Sequence, residues 1–277
     1  MRLATVASPT GTTAAALDRG RWRALPARDL STLFEEAGTG RARDPQQLAE
    51  LAGADLPDAV PVLPLPRPGK VVCCGLNYGE HIRETGRDLP AHPTLFAKFA
   101  DTLTGPEEDL LLPAGVHWDW EAELAVVVGT TLRGAGPEEA RSAIAGYTVA
   151  NDVSARDWQY RTMQWLQGKA WDATTPVGPV VVTPDEVDPF AGVEVTCRIN
   201  GEEVQRDDTA TLVFDAAELL AYISTFTTLR PGDLVLTGTP GGVGVTRSPQ
   251  RFLADGDVLE TEVAGIGTLR NTVRLTS

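Results

Sequence analysis

Histidine is scarce in this 277-residue chain: there are three, His81, His92 and His117. They form no H-E-x-x-H pattern and no cluster with thiols, which argues against a zinc centre. Cysteine is equally sparse, and Cys73, Cys74 and Cys197 show no C-x-x-C spacing. Adjacent Cys73 and Cys74 point to opposite faces of an extended segment, so reduced thiols in a cytoplasmic setting are expected. Positive charge is also short: 24 Lys and Arg stand against 38 Asp and Glu, a net charge of −14. That balance disfavours nucleic acid and anionic membrane as partners. No apolar run approaches membrane-spanning length, and residues 1–6 alternate like a strand where a signal peptide would be apolar. A G-x-S-x-G nucleophile elbow is missing. Residues 238–244 are glycine-rich but contain neither G-K-[ST] nor G-x-G-x-x-G. A tight turn with its backbone near a ligand is expected there in place of a nucleotide loop.

Acidic residues, by contrast, are concentrated. The segment His117-Trp118-Asp119-Trp120-Glu121-Ala122-Glu123 runs into Leu124-Ala125-Val126-Val127-Val128. On a strand, Asp119, Glu121 and Glu123 point the same way, with no Lys or Arg on that face. Like charges entering a buried sheet repel, and each costs several kcal/mol if left unpaired, roughly. A hard divalent cation held by oxygen ligands, Mg2+ first, relieves that cost. A solvated acidic edge is the alternative reading of the same residues.

Composition divides the chain into a small N-terminal domain, 1–56, and a larger region, 70–277. Residues 1–6, 12–17 and 22–25 read as strands; 29–37 and 45–52 read as short helices, with Asp29 as an N-cap. The intervening 57–69 holds five prolines, which favour an extended tether. Beyond it the pattern is mostly β. Residues 193–199 alternate, and Asn200-Gly201 predicts a type I′ hairpin turn. Asp215 and Glu218 predict a capping box for one clear helix. Many short strands with few helices point to a mixed, β-rich α+β fold, a folded and twisted β-structure.

Three further constellations carry possible chemistry. A strand over 146–152 ends at Asp152; Ser154 and Asp157 then predict a capping box, with Arg156 and Gln159 on one helix face. A capped surface helix is the competing reading. Lys169, in Gly168-Lys169-Ala170-Trp171-Asp172, sits among tryptophans, either desolvated or snorkelling to water. His81 is followed by Glu84 one turn on, the arrangement of an oriented general base or of an ordinary surface pair. Gly75, Gly79 and Gly86 flank that pair, so the stretch is expected to move as a lid.

Six stretches in series resemble the fumarylacetoacetate hydrolase family over roughly 70–274. They are Gly75-Leu76-Asn77-Tyr78 with His81 and Glu84; residues 120–129; residues 151–159; Gly168-Lys169-Ala170-Trp171-Asp172; residues 236–244; and residues 265–271. The resemblance implies a twisted β-roll core, a small N-terminal α/β domain and a homodimer. It implies that Glu121, Glu123 and Asp152 bind Mg2+ or Mn2+, so Asp119 yields its place in the acidic trio to Asp152. It assigns Arg156, Gln159 and Thr239 to substrate binding, Lys169 to substrate polarisation, and His81 with Glu84 to water activation. Trp171 stands where the family commonly has Phe, and Ala173 where Thr is common, so pocket shape is expected to differ.

Such a site acts on 2-oxo acids, because a divalent Lewis acid stabilises the enolate. Hydrolysis of a C–C bond in an acylpyruvate or fumarylacetoacetate-like β-diketone is the expected reaction, favoured by His81 and Glu84. Isomerisation of a 2-hydroxyhepta-2,4-diene-1,7-dioate and decarboxylation of oxaloacetate diverge from the same enolate, and the fold does not choose among them. A non-catalytic metal-binding member is the alternative of another class.

Overall fold

The computed structural model describes residues 1–8, 11–37, 45–79, 82 and 88–277. An eleven-stranded sheet organises them. Along its path lie Arg21–Ala24, Gly11–Asp18, Arg2–Ser8, Thr175–Val182, Ile144–Asn151, Ala122–Val128, Leu234–Leu236, Val71–Gly75 and Thr94–Lys98. Pairing on this path is antiparallel except between Leu234–Leu236 and Val71–Gly75. A second sheet holds Glu202–Asp208, Glu194–Ile199, Val258–Val263, Gly267–Thr276 and Leu110–Pro113.

The strand Ala122–Val128 is buried along its whole length. Leu124, Val126 and Val128 enter the larger core with Val195, Ile199, Leu259 and the helical Ile223. Ala125 and Val127 enter a second cluster with Leu30, Phe34, Leu48 and Leu236. Cover on both faces explains the unbroken apolar composition after Glu123. The helix Ala216–Phe226 begins with the expected capping box, Asp215 with Glu218.

Asn200 and Gly201 both have positive φ, 52° and 82°, and form the expected hairpin turn between Glu194–Ile199 and Glu202–Asp208. The pairing then slips. Cys197 faces Gln205 and Arg198 faces Glu203, which leaves Val204 as the extra residue of a bulge. Val204 and Gln205 consequently both turn inward.

Toward the N-terminus the structure has the three expected strands and the helices Leu30–Ala37 and Pro45–Leu51. Asp29 caps the first helix, its Oδ1 accepting from the Thr32 amide at 2.7 Å. The strand Arg2–Ser8 pairs with Thr175–Val182, so the sheet runs across the compositional boundary. The proline-rich stretch is extended, as expected, yet it is no free tether. Val60–Val62 pairs with Arg2–Ser8, Leu65 is fully buried, and the Pro64 carbonyl accepts from Thr5 Oγ1 at 2.6 Å. Proline confines that pairing to a short edge strand. Among the described residues, no helix is long and apolar enough to cross a membrane.

Candidate active site

Backbone pairing brings the acids together. Ala122 is registered against Asn151, so Glu121 and Glu123 flank the position from which Asp152 leaves the neighbouring strand. The Asp152 amide donates to the Glu121 carbonyl at 2.8 Å, and the Glu121 amide donates to Asn151 Oδ1 at 3.0 Å. Glu121, Glu123 and Asp152 are buried, each offering an oxygen within 4.8 Å of the others.

The expectation that no cation faces these acids is corrected by the fold. Lys169 Nζ donates to Glu121 Oε2 at 2.7 Å and to Asp152 Oδ2 at 2.9 Å. Arg156 Nη1 lies 2.7 Å from Glu121 Oε1. Lys98, which ends the strand Thr94–Lys98, pairs with Asp152 Oδ1. Lys98 was not legible as a site residue, since nothing in its local sequence sets it apart from a surface lysine. Lys169 is desolvated and does not snorkel.

Asp119 does not join the trio. Its Oδ1 accepts from the amides of Trp120 and Gly244, at 2.8 and 2.7 Å. Its Oδ2 accepts from the Val245 amide at 3.0 Å and from Arg156 Nε at 2.7 Å. Asp119 therefore ties the glycine-rich turn to Arg156. A side chain at Gly244 would strike the Arg251 carbonyl at 1.9 Å and Asp119 itself at 2.8 Å, so the turn needs glycine there.

Arg156 and Gln159 share a face as expected, with Arg156 Nη1 donating to Gln159 Oε1 at 2.8 Å. The predicted Ser154–Asp157 capping box does not form. The helix is only Arg156–Gln159, starting after Ala155. Ser154 Oγ donates instead to the Asp152 carbonyl, and Asp157 accepts from the His117 amide. Gly168 lets the Lys169 turn press onto that helix, since a Cβ there would lie 2.4 Å from Gln159 Cβ.

These groups line a cavity of about 550 Å³ with Glu121, Arg156, Gln159, Lys169, Thr239 and Phe96 among its walls. Arg156 Nη2 is buried and has no acceptor among the described residues. Cys74 also borders the cavity, but burial and then Glu123 push its thiol up to about 12, so it is no nucleophile. His81 and Glu84 lie outside the described residues.

Burial, then Asp152 and Glu121, raise the Glu123 carboxyl well above the usual carboxylate range. The Gly238 amide, 2.6 Å from Glu123 Oε2, offsets this only in part. Burial pulls Lys169 down, but Asp152 and Glu121 outweigh it and hold the ammonium above the ordinary lysine value. Lys169 is thus a charged donor. Among the described residues, four buried carboxylates, Asp119, Glu121, Glu123 and Asp152, face three cations, Lys98, Lys169 and Arg156. The three clustered carboxylates, Glu121, Glu123 and Asp152, form an all-oxygen donor set that fits a hard divalent cation.

Comparison with known proteins identifies the family. Residues 70–274 match the model of the fumarylacetoacetate (FAA) hydrolase C-terminal family. Human mitochondrial oxaloacetate tautomerase FAHD2A is 45% identical over 213 residues, 76% of this chain and 68% of that protein. The 2,4-didehydro-3-deoxy-L-rhamnonate hydrolase of Sphingomonas sp. (strain SKA58) is 41% identical over 251 residues, 89% and 88% of the two chains. The solved fumarylacetoacetate hydrolase of Exiguobacterium antarcticum superposes over 100% of both chains with a TM-score of 0.87 at 32% identity. A β-rich fold with few helices, an acidic trio at a strand junction and a match over 70–274 converge: the chain belongs to the fumarylacetoacetate hydrolase family of enzymes.

Proposed function

We propose that the protein is a divalent-metal-dependent hydrolase that cleaves a C–C bond in an acylpyruvate, a 2,4-dioxo acid. The observation that carries this reading is the acidic cluster of Glu121, Glu123 and Asp152, which meets Lys169 and Arg156 at Glu121 on the wall of one cavity. The three acids would hold Mg2+, or Mn2+, which when bound supplies Lewis-acid stabilisation of negative charge on the substrate oxygens. Arg156 Nη2, without a partner among the described residues, and the Thr239 hydroxyl hold the substrate carboxylate, and Gln159 fixes the guanidinium plane. Lys169, kept charged by its acidic neighbours, donates to the oxygen on which charge develops. Water activation is assigned to His81 and Glu84 from the sequence.

The Sphingomonas relative supports this choice of reaction, since the substrate in its name is an acid with carbonyls at carbons 2 and 4. A second reading, proton relocation or decarboxylation of oxaloacetate, is favoured by the 45% identity to an oxaloacetate tautomerase. Both reactions demand stabilisation of an enolate; only hydrolysis demands an attacking water. We further propose a homodimer, as the family resemblance implies, and a cytoplasmic location, with which three buried cysteines free of disulfides are consistent.

Loss of the ultraviolet enol band of acylpyruvates and of oxaloacetate, with Mg2+ saturating, tests the reading. His81→Ala should reduce acylpyruvate cleavage roughly 10²–10⁴-fold while sparing oxaloacetate turnover. Lys169→Ala should damage both. Equal losses in the His81 variant would remove the support for hydrolysis and leave the oxaloacetate reading.

A further inference from the structure

Gln205 lies outside every group considered so far, yet it is 2% exposed and both ends of its side-chain amide are hydrogen-bonded. Its Oε1 accepts from the Ala122 amide at 3.0 Å. Its Nε2 donates to the Pro240 carbonyl at 2.9 Å and to Thr239 Oγ1 at 2.8 Å. The amide orientation is fixed by its partners, because an amide N–H can only donate and a carbonyl can only accept. The remaining bond is fixed in turn. Thr239 Oγ1 receives a hydrogen from Gln205, so its own hydroxyl hydrogen must go elsewhere, and no described residue accepts it. Thr239 borders the cavity.

We propose that Gln205 is a positioning residue: it holds the Thr239 hydroxyl as a donor aimed at the substrate carboxylate. The proposal rests on the reading that the cavity takes a 2-oxo acid. Its structural origin is the bulge at Val204, which turns Gln205 inward at the place where an unbroken ladder would send it to the other face. Through Ala122 the same amide grips the main chain between Glu121 and Glu123. One side chain from the second sheet thus spans the acidic strand and the anion-binding turn. An undirected hydroxyl can rotate to face an anion with either its hydrogen or its lone pairs; a directed one presents the hydrogen before the anion arrives.

The test is oxalate binding by calorimetry with Mg2+ saturating, on the full chain. Thr239→Val, near-isosteric and without the hydroxyl, should weaken oxalate on the order of tenfold, and Thr239→Ser should restore it. Gln205→Met removes the donor without adding charge, and Gln205→Glu replaces it with an acceptor that draws the hydroxyl hydrogen away. Each should cost a similar factor in the wild-type background and nearly nothing added to Thr239→Val, because both changes abolish one and the same donation. Melting temperatures of the four variants show whether each is folded. Losses that multiply in the double variant would make Gln205 a structural prop and overturn the proposal. Oxalate affinity unchanged in Thr239→Val would overturn it even if both Gln205 variants fail to fold. Absence of oxalate binding by the wild type would instead sink the 2-oxo acid reading, and this role with it.

Discussion

Lys98 is fully buried and pairs with Asp152, so removing its charge has two opposite consequences. Without metal, Lys98→Met leaves a buried carboxylate short of a partner, a change that costs about 3–5 kcal/mol in comparable pairs. With metal, the same change deletes a cation that repels the ion. We expect a lower melting temperature in chelator, tighter Mg2+ binding by calorimetry, and a larger stabilisation by Mg2+ than in wild type. Equal losses with and without Mg2+ would reduce Lys98 to packing. At this scale the carboxylates, Arg156 and Lys169 were legible as site residues, but Lys98 and the ion pairs among them were not. Glu121 and Glu123 declare themselves by spacing and by the apolar run that follows. Lys98 on its strand, and Arg156 and Lys169 on single-turn helices, meet them only through tertiary packing that no local pattern encodes. Gln205 was hidden for a further reason: a one-residue bulge decides which face it takes, and bulges leave little trace in alternation.

Elements show the same division between local and distant causes. The cap at Asp29, the hairpin at Asn200-Gly201 and the box at Asp215 and Glu218 are local chemistry, and each forms as expected. Asp29 also accepts from Arg67 Nη2 at 2.7 Å. Burial raises its carboxyl, but the Thr32 amide and Arg67 prevail and leave it below the usual value of 3.8. A depressed carboxylate contributes stability that is complete above its unfolded pKa and lost as pH falls through the folded one. Asp29→Ala should therefore cost about 1 kcal/mol at neutral pH, and the difference from wild type should shrink below about pH 4. Chemical denaturation at pH 7 and pH 3 measures it; a pH-independent difference would mean that the charge plays no part. The Ser154–Asp157 box failed because the following helix is a single turn whose acids have nearer partners. That short turn still matters. Gly168→Ala would drive a methyl into Gln159 and displace Lys169. Displacements near 1 Å cost about 10²-fold in rate. Turnover should collapse in this variant with little change in melting temperature; wild-type turnover would show that the contact relaxes elsewhere.

Across the whole molecule, the sequence distinguished an N-terminal part by composition, and its elements are where they were expected. What composition could not reveal is that Arg2–Ser8 hydrogen-bonds into the main sheet and that Leu30, Phe34 and Leu48 pack with Ala125, Val127 and Leu236. Expressing residues 70–277 alone should expose that apolar layer and the edge of Thr175–Val182. We expect an aggregating fragment without a cooperative melting transition; a soluble, cooperatively melting fragment would establish an independent catalytic domain.

The strand Ala122–Val128 has no solvent face, so it offers no position where sequence can drift freely. Novelty must enter elsewhere. The cavity rim, with Tyr160 at 62% and Met163 at 96% exposure, supports no core and touches the outer end of whatever enters. A lineage carrying this fold can therefore trade substrates by altering the rim while inheriting the acidic strand unchanged, and its members should diverge in diet long before they diverge in chemistry.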